Sequence, residues 1–209
     1  MESVLDRVIK QNTENVNLLK TKDYNIFSVL QIQSKEVLIC RMIADLLNPR
    51  GQHGAGTEYL KIFLRDCLGM EKMDTKLADQ AIVTAEYAID DERRIDIVIE
   101  IGSYFLPIEV KIYAADQKSQ CFDYYQYAKR RDAQAKVYYL TLDGHRPGKD
   151  STSSGNRSVT EEDIVCLSFR EHILNWLKAC KNCGNTGMIP ILEQFIRNIE
   201  QISGYTSER

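Results

Sequence analysis

The feature that most constrains the fold is a pair of apolar runs, residues 94–101 and 104–113, separated by a Gly-Ser dipeptide at 102–103. Each run alternates polar and apolar residues or continues apolar, as β-strands do, and a Gly-first dipeptide suits the two-residue type II′ turn of a hairpin. Counting outward from that turn sets Asp96 opposite Glu109 at a position where side chains approach closely. The sequence therefore predicts an antiparallel hairpin with two facing carboxylates.

A lysine shares the predicted face of these carboxylates. Alternation places Lys111 beside Asp96 and Glu109, and it turns the neighbouring aliphatic residues to the other face: Ile95, Ile97, Ile108, Val110 and Ile112. Facing carboxylates repel each other unless a divalent cation lies between them or one carries a proton. Carboxylates and an amine on one face are what metal-assisted phosphodiester hydrolysis requires. A solvated surface hairpin is the alternative, and these three residues alone would favour it.

Two predicted helices add polar residues to this picture. Gln120 and Tyr124 are one helical turn apart and share a face with Gln117, on a helix that begins directly after the hairpin. Glu36 opens the apolar stripe of an upstream helix predicted over 35–47. Each observation also has an ordinary interpretation, as the polar surface of an amphipathic helix or as an acid favoured by the helix dipole.

The rest of the chain indicates one mixed α/β domain over 1–209, without an internal linker. Further helices are predicted over about 3–20, after the Gly-rich link 51–56, over 116–131, after 168 and from about 190. Further strands are predicted over 81–88, 136–142 and 165–167. The polar stretch 143–158 is typical of a long surface loop.

Taken together, these residues resemble the PD-(D/E)xK nuclease superfamily. The matching residues are Asp96, the Glu109-Val110-Lys111 triplet, Glu36 and the pair Gln120 and Tyr124, which is spaced as in RecB-type exonucleases. Six stretches resemble, in order, an uncharacterised prokaryotic branch of that superfamily: 25–30, 44–54, 94–97, 108–114, 138–144 and 168–177. The chain departs from the pattern at Ile95, which replaces a proline, at Ile39-Cys40, which replace a His-Ser pair, and at Asn48, which replaces an aspartate.

The resemblance implies a fold and a set of site residues. The fold is a restriction-endonuclease-like αβββαβ core with a mixed four-stranded sheet flanked by helices, and with extra N- and C-terminal helices. The implied cofactor is Mg²⁺ or Mn²⁺, held by Asp96, Glu109, the Val110 carbonyl and Glu36. Catalytic roles fall on these carboxylates and on Lys111 and Gln120. Substrate contacts are expected at Gln117, Tyr124, Lys129 and Arg130, although the last two equally suit a cationic helix C-terminus.

We therefore expect a metal-dependent nuclease acting on DNA, in restriction, repair or defence. Whether it cuts internally or from an end stays open. The alternative is a nuclease-like fold that binds nucleic acid or a protein partner without cutting, and the departures around Ile39 favour it. Scattered histidines (His53, His145 and His172) give no support to a hydrolytic triad, and the lone Cys180-x-x-Cys183 pair favours a helix end over a metal site.

Charge and hydropathy limit the partners. The net charge of −3 excludes a strongly basic nucleic-acid binder, although residues 91–160 hold eleven Lys and Arg against ten Asp and Glu. Binding of DNA is therefore expected to depend on the metal. The first ten residues are charged throughout, and no uncharged apolar run approaches the ~18 residues that span a bilayer. We expect a cytoplasmic protein without a membrane partner, with a homodimer left open.

Overall fold

A computed structural model of the chain describes residues 24–71, 73–183 and 185–204, so the helix predicted over 3–20 lies outside the described residues. The helices are α1 (Ile26–Val29), α2 (Glu36–Leu47), α3 (Glu58–Asp66), α4 (Thr75–Ala78), α5 (Gln120–Arg131), α6 (Leu174–Cys183) and α7 (Ile189–Ser203). The strands are β1 (Ile82–Ala88), β2 (Arg94–Ile101), β3 (Tyr104–Lys111), β4 (Val137–Thr141), β5 (Ser153–Ser154), β6 (Arg157–Ser158) and β7 (Ile164–Ser168). None of the described helices combines the length and the apolar character needed to span a bilayer.

The main sheet is mixed, with strand order β1-β2-β3-β4-β7. The β1–β2 and β2–β3 pairs are antiparallel, whereas β3–β4 and β4–β7 are parallel. Helix α5 connects β3 to β4 and packs on one face of the sheet, as a parallel crossover requires. The predicted α/β class and the order of the αβββαβ core are confirmed, and β7, the strand predicted over 165–167, joins the four-stranded core as a fifth strand.

The hairpin of β2 and β3 has the predicted register, with Ile101 opposite Tyr104 and Ile99 opposite Leu106. Its turn uses Gly102 at φ 57°, a left-handed conformation that glycine adopts without steric cost. The main-chain ladder between these strands ends at the pair of Ile97 and Ile108. Asp96 and Glu109 therefore come just beyond the last ladder pair.

Each face of the sheet buries a separate core. One face lies against α2, α3, α6 and α7 and contains the aliphatic residues Ile97, Ile99, Ile108, Val110 and Ile112. The other lies against α5 and contains Val98, Phe105 and Tyr124. This double covering explains why β2 and β3 are apolar almost throughout and why Glu109 and Lys111 of β3 are buried.

The prediction for Ile95 is wrong: its side chain packs with the cluster under α5, as does that of its β1 partner Tyr87. Strict alternation would have turned Ile95 to the face that Ile97 occupies. The register sets Glu86 of β1 opposite Asp96, and Glu86 has φ 55°, a left-handed conformation that is rare for any residue but glycine. The regular alternation is therefore interrupted at the position where the candidate carboxylates lie.

The stretch 143–158 contains the short β5–β6 hairpin and also supports the start of α5. The Ser151 hydroxyl accepts a hydrogen bond from the Cys121 N–H at 3.3 Å, and the Ser151 carbonyl accepts one from the Phe122 N–H at 3.0 Å. The Ser151 side chain is fully buried. A distant loop thus takes the place of a local N-cap for the helix that carries Gln120.

Replacing Ser151 by alanine should lower the free energy of unfolding by about 1 kcal/mol, because the buried Cys121 N–H loses its acceptor. Urea unfolding would measure the change. Ser153→Ala is the matched control, since the Ser153 hydroxyl bonds the Lys149 carbonyl at an exposed position, and it should change the unfolding free energy by less than about 0.5 kcal/mol. Equal effects of the two substitutions would contradict the capping role of Ser151.

Candidate active site

The three charged residues of the hairpin come together in the structure. The Lys111 ammonium donates to Glu109 Oε1, with 2.6 Å between the two atoms. Asp96 Oδ2 accepts the Val110 N–H at 2.7 Å, just beyond the end of the main-chain ladder. Glu109 is 1% exposed and Lys111 7% exposed. Two carboxylates and one amine therefore share a largely dehydrated site.

Burial and mutual repulsion control the ionisation of these groups. Burial, and after it the charge of Asp96, hold the pKa of Glu109 well above its ordinary value. Burial also raises the pKa of Asp96, against the opposing effects of the Val110 N–H and Lys111. Burial lowers the pKa of Lys111, but the charge and hydrogen bond of Glu109 outweigh it and the net shift is upward. All three shifts show that the site favours additional positive charge.

One oxygen of Glu109 shows the same need directly. Its Oε2 atom is buried and receives no hydrogen bond from a donor, and the Asp96 carboxylate lies close enough to Glu109 for the two to share a proton. A buried carboxylate oxygen without a donor or cation is costly, typically by about 1–3 kcal/mol. A proton or a divalent cation would satisfy it, and hard cations such as Mg²⁺ prefer carboxylate ligands. The donor set therefore fits a divalent ion.

Glu36 approaches the same site from α2, where it is the first helical residue. Its Oε2 atom accepts the Ile112 N–H at 2.8 Å and so ties α2 to the end of β3. The buried Cys40 lies one turn further along α2, and its thiol pKa is raised by burial and then by the charges of Asp96, Glu36, Glu109 and Glu86. Carboxylates from α2, β1, β2 and β3 therefore lie near enough to disfavour the thiolate of Cys40.

One oxygen of each carboxylate at this site bonds one of the chain's own donors. Asp96 bonds the Val110 N–H, Glu109 bonds Lys111, and Glu36 bonds the Ile112 N–H. Within residues 24–71, 73–183 and 185–204, no three Asp, Glu, His or Cys side chains adopt the arrangement of a preformed metal site. Each carboxylate keeps a second oxygen for an ion, but binding of a cation would require these side chains to move into the arrangement of a metal site.

Gln120 and Tyr124 lie beside β2. The Gln120 amide Nε2 donates to the Tyr124 hydroxyl at 3.1 Å, and that hydroxyl donates to the Arg94 carbonyl. Gln120 Oε1 also accepts the N–H of Gln117 at 3.3 Å. Gln120 and Tyr124 are buried, whereas Gln117 is exposed. The predicted pair of Gln120 and Tyr124 is thus hydrogen-bonded, through the Tyr124 hydroxyl, to the β2 backbone two residues before Asp96.

Lys129 and Arg130 lie at the opposite end of α5 from Gln120, about 15 Å along the helix axis. The Lys129 ammonium donates to the Ala133 carbonyl at 2.9 Å, and the Arg130 guanidinium lies over the Tyr127 ring at 5.4 Å. The structure does not bring these two residues to the carboxylates. Their expected contact with substrate stays a prediction.

Sequence reasoning missed Arg93, an arginine that links several residues next to the site. Arg93 donates to Gln117 Oε1 at 2.9 Å and to the Lys118 carbonyl at 2.6 Å, and it lies 3.2 Å from Asp123 Oδ2. It joins the start of β2 to the loop before α5. A pair of adjacent arginines at 93–94 was its only sequence signal.

A second missed pair joins α2 to the edge strand. Arg41 and Glu86 form an ion pair at 2.6 Å. Nothing in the local sequence of either element predicts it, because it depends on the left-handed backbone at Glu86 and on the packing of α2. The ion pair holds the Glu86 carboxylate against α2. In the register of β1 and β2, Glu86 lies opposite Asp96.

Comparison with known proteins gives a family match over most of the chain. The model of the PD-(D/E)XK nuclease superfamily matches residues 24–197, most of the chain and all of its main sheet. Searches of curated proteins and of solved structures found no match. Members of this superfamily are nucleases that act on nucleic acid and generally use divalent metal ions. The chain belongs to the PD-(D/E)XK nuclease superfamily.

Proposed function

We propose that this protein is a Mg²⁺- or Mn²⁺-dependent deoxyribonuclease. The observation that carries the proposal is the group formed by the half-buried Asp96 and the buried Glu109 and Lys111, in which a carboxylate oxygen lacks a donor. Buried carboxylates that repel each other are retained at a cost in stability, and such costs concentrate at functional sites. A site that binds a cation and then a phosphodiester accounts for both the charges and the burial.

Asp96, Glu109, the Val110 carbonyl and Glu36 are the groups that would hold the ion. A divalent ion supplies an activated water and neutralises charge on the phosphate. Glu109 fixes the Lys111 ammonium in one position. From there the ammonium orients the attacking water or offsets negative charge that develops on the phosphate. Gln120, anchored through Tyr124 to β2, completes the proposed catalytic set.

Substrate contacts are proposed at Gln117, Lys129 and Arg130, but not at Tyr124, the fourth residue expected to contact substrate, because Tyr124 is buried and its hydroxyl bonds the Arg94 carbonyl. Gln117 is exposed beside the site, and Arg93 holds its side chain oxygen. Lys129 and Arg130 lie about 15 Å away along α5, a distance that suits contact with another part of a long polyanion. DNA as the substrate, a cytoplasmic location and a homodimer are predictions from the sequence.

Cleavage assays on single- and double-stranded DNA with Mg²⁺ or Mn²⁺ test the proposed chemistry. Asp96→Asn and Lys111→Gln should each reduce the cleavage rate by roughly 10²–10³-fold or more, because the first removes a charged ligand of the ion and the second removes a positive charge that acts on the reacting phosphate. Asp66→Asn and Lys61→Gln are matched controls in exposed ion pairs of α3 and should leave the rate unchanged.

Equal activity in the wild type, Asp96→Asn and Lys111→Gln would refute the proposed site. A folded wild type that binds Mn²⁺ and nucleic acid but cuts none of the substrates would instead support the alternative, a nuclease-fold module that binds without cutting.

Metal binding can be measured without cleavage by thermal unfolding. Saturating Mn²⁺, at about 100 times the dissociation constant, should add about 2.7 kcal/mol to the stability of the wild type. Asp96→Asn should lose most of this gain. Without metal it should be more stable than the wild type by about 1 kcal/mol, because one of two facing charges is gone while asparagine can still accept the Val110 N–H. An unchanged response to Mn²⁺ in Asp96→Asn would exclude Asp96 as a ligand.

Tyr124→Phe tests the support of β2 by α5. The substitution leaves the Arg94 carbonyl without its donor and the Gln120 amide without its acceptor, so it should lower the unfolding free energy by about 1–2 kcal/mol. Tyr138→Phe is the control, because Tyr138 is also buried and its hydroxyl makes no hydrogen bond with any described residue. Chemical denaturation would compare the two, and similar losses would argue against a role of the Tyr124 hydroxyl.

A further inference from the structure

We infer that Tyr113 stacks on an unpaired nucleobase beside the reacting phosphate, so that the site prefers single-stranded or frayed nucleic acid to intact duplex. This inference rests on the proposed function and deepens it by naming the form of substrate.

Tyr113 is held close to the candidate site by its neighbours in the chain. It lies two residues after Lys111 and directly follows Ile112, whose N–H bonds Glu36. Ile112 is buried in the core, so the backbone just before Tyr113 is fixed in position. The position of Tyr113 is therefore determined by the same two elements that carry Glu36 and Lys111.

The ring of Tyr113 is exposed in a way that the other site tyrosines are not. Tyr113 is 69% exposed, the largest value among the large hydrophobic residues that the structure describes. Tyr124 bonds the Arg94 carbonyl, and Tyr139 donates to Asp116 at 2.7 Å, so both hydroxyls serve the fold. Tyr113 has no ring contact or hydrogen bond with any residue in the described ranges. The residues that follow it, Ala114 and Ala115, are small and leave space beside the ring.

Electrostatics alone binds a polyanion weakly at this position. Lys111 is paired with Glu109, and Arg93 bonds Gln117, Lys118 and Asp123. The surrounding carboxylates repel phosphate until a cation is bound. Stacking of a base on an aromatic ring does not depend on net charge and tolerates any sequence, so it supplies affinity that the charges of this site do not.

The geometry of nucleic acids then sets the preference. In a duplex, the neighbouring base pairs cover both faces of each base, whereas a base in a single strand or at a frayed end can leave its neighbours at small cost. A ring that projects beside the reacting phosphate can therefore contact a base face only where the strand is unpaired.

Steady-state cleavage of matched single-stranded and duplex oligonucleotides tests this inference. The wild type should cleave the single strand more efficiently. Tyr113→Ala should raise KM for the single strand by roughly 10- to 100-fold, with a much smaller change in kcat, and Tyr113→Trp should restore the KM. Tyr104→Ala is the matched control, because Tyr104 is an exposed tyrosine at the far end of β3 and should leave KM unchanged.

A binding measurement keeps the test independent of cleavage. A single-stranded oligonucleotide with one 2-aminopurine should lose fluorescence on binding Lys111→Gln, because stacking quenches this base, and the loss should disappear when Tyr113→Ala is added. Thermal unfolding of Tyr113→Ala should match that of the wild type, since the side chain is exposed.

Normal cleavage by Tyr113→Ala with an unchanged KM, or a wild-type preference for duplex, would overturn this inference and leave the proposed function intact. A wild type that cleaves nothing would overturn the proposed function, and the 2-aminopurine signal would still decide whether Tyr113 stacks on a base.

Discussion

The bond from the Val110 N–H to the Asp96 carboxylate is the interaction on which the site depends. The ladder between β2 and β3 ends one residue earlier, at Ile97 and Ile108, and a continued ladder would give this N–H to the main chain of β2. A side-chain carboxylate accepts it instead. Because the Val110 N–H bonds the Asp96 carboxylate and not a main-chain carbonyl, Asp96 is kept beside Glu109 although the two carboxylates repel each other.

The hydrophobic cores on both faces of the sheet counteract that repulsion. Ile97 and Ile108 are completely or almost completely buried on one face, and Val98 and Phe105 on the other. Each such side chain contributes about 1.5–3 kcal/mol by burial, so the four together exceed the repulsion of one carboxylate pair, which is about 4 kcal/mol before a nearby lysine partly neutralises it. Residues that never meet a substrate therefore stabilise the charges that would act on it.

The parts of the fold that depend on local pattern could be predicted from the sequence. The glycine at 102 and the two apolar runs determine the hairpin register, and through it the approach of Asp96 to Glu109. The face of Ile95 could not be predicted, because it depends on the left-handed backbone of Glu86 in another strand. The support of α5 by Ser151 was hidden for a similar reason, since the two lie 30 residues apart in the chain. Long-range contacts of this kind leave no periodic signal.

The charges along α5 explain how an acidic protein could still engage a polyanion. At the basic end of the helix, Arg131 bonds Glu100 and Lys129 lies 3.9 Å from Asp163, so both are partly neutralised. Arg130 contacts only an aromatic ring among the described residues and keeps its charge free for phosphate. The opposite end of α5 lies beside carboxylates that repel phosphate. In the proposed function, attraction at one end and repulsion at the other, about 15 Å apart, would orient an approaching strand until a cation at the carboxylates removed the repulsion.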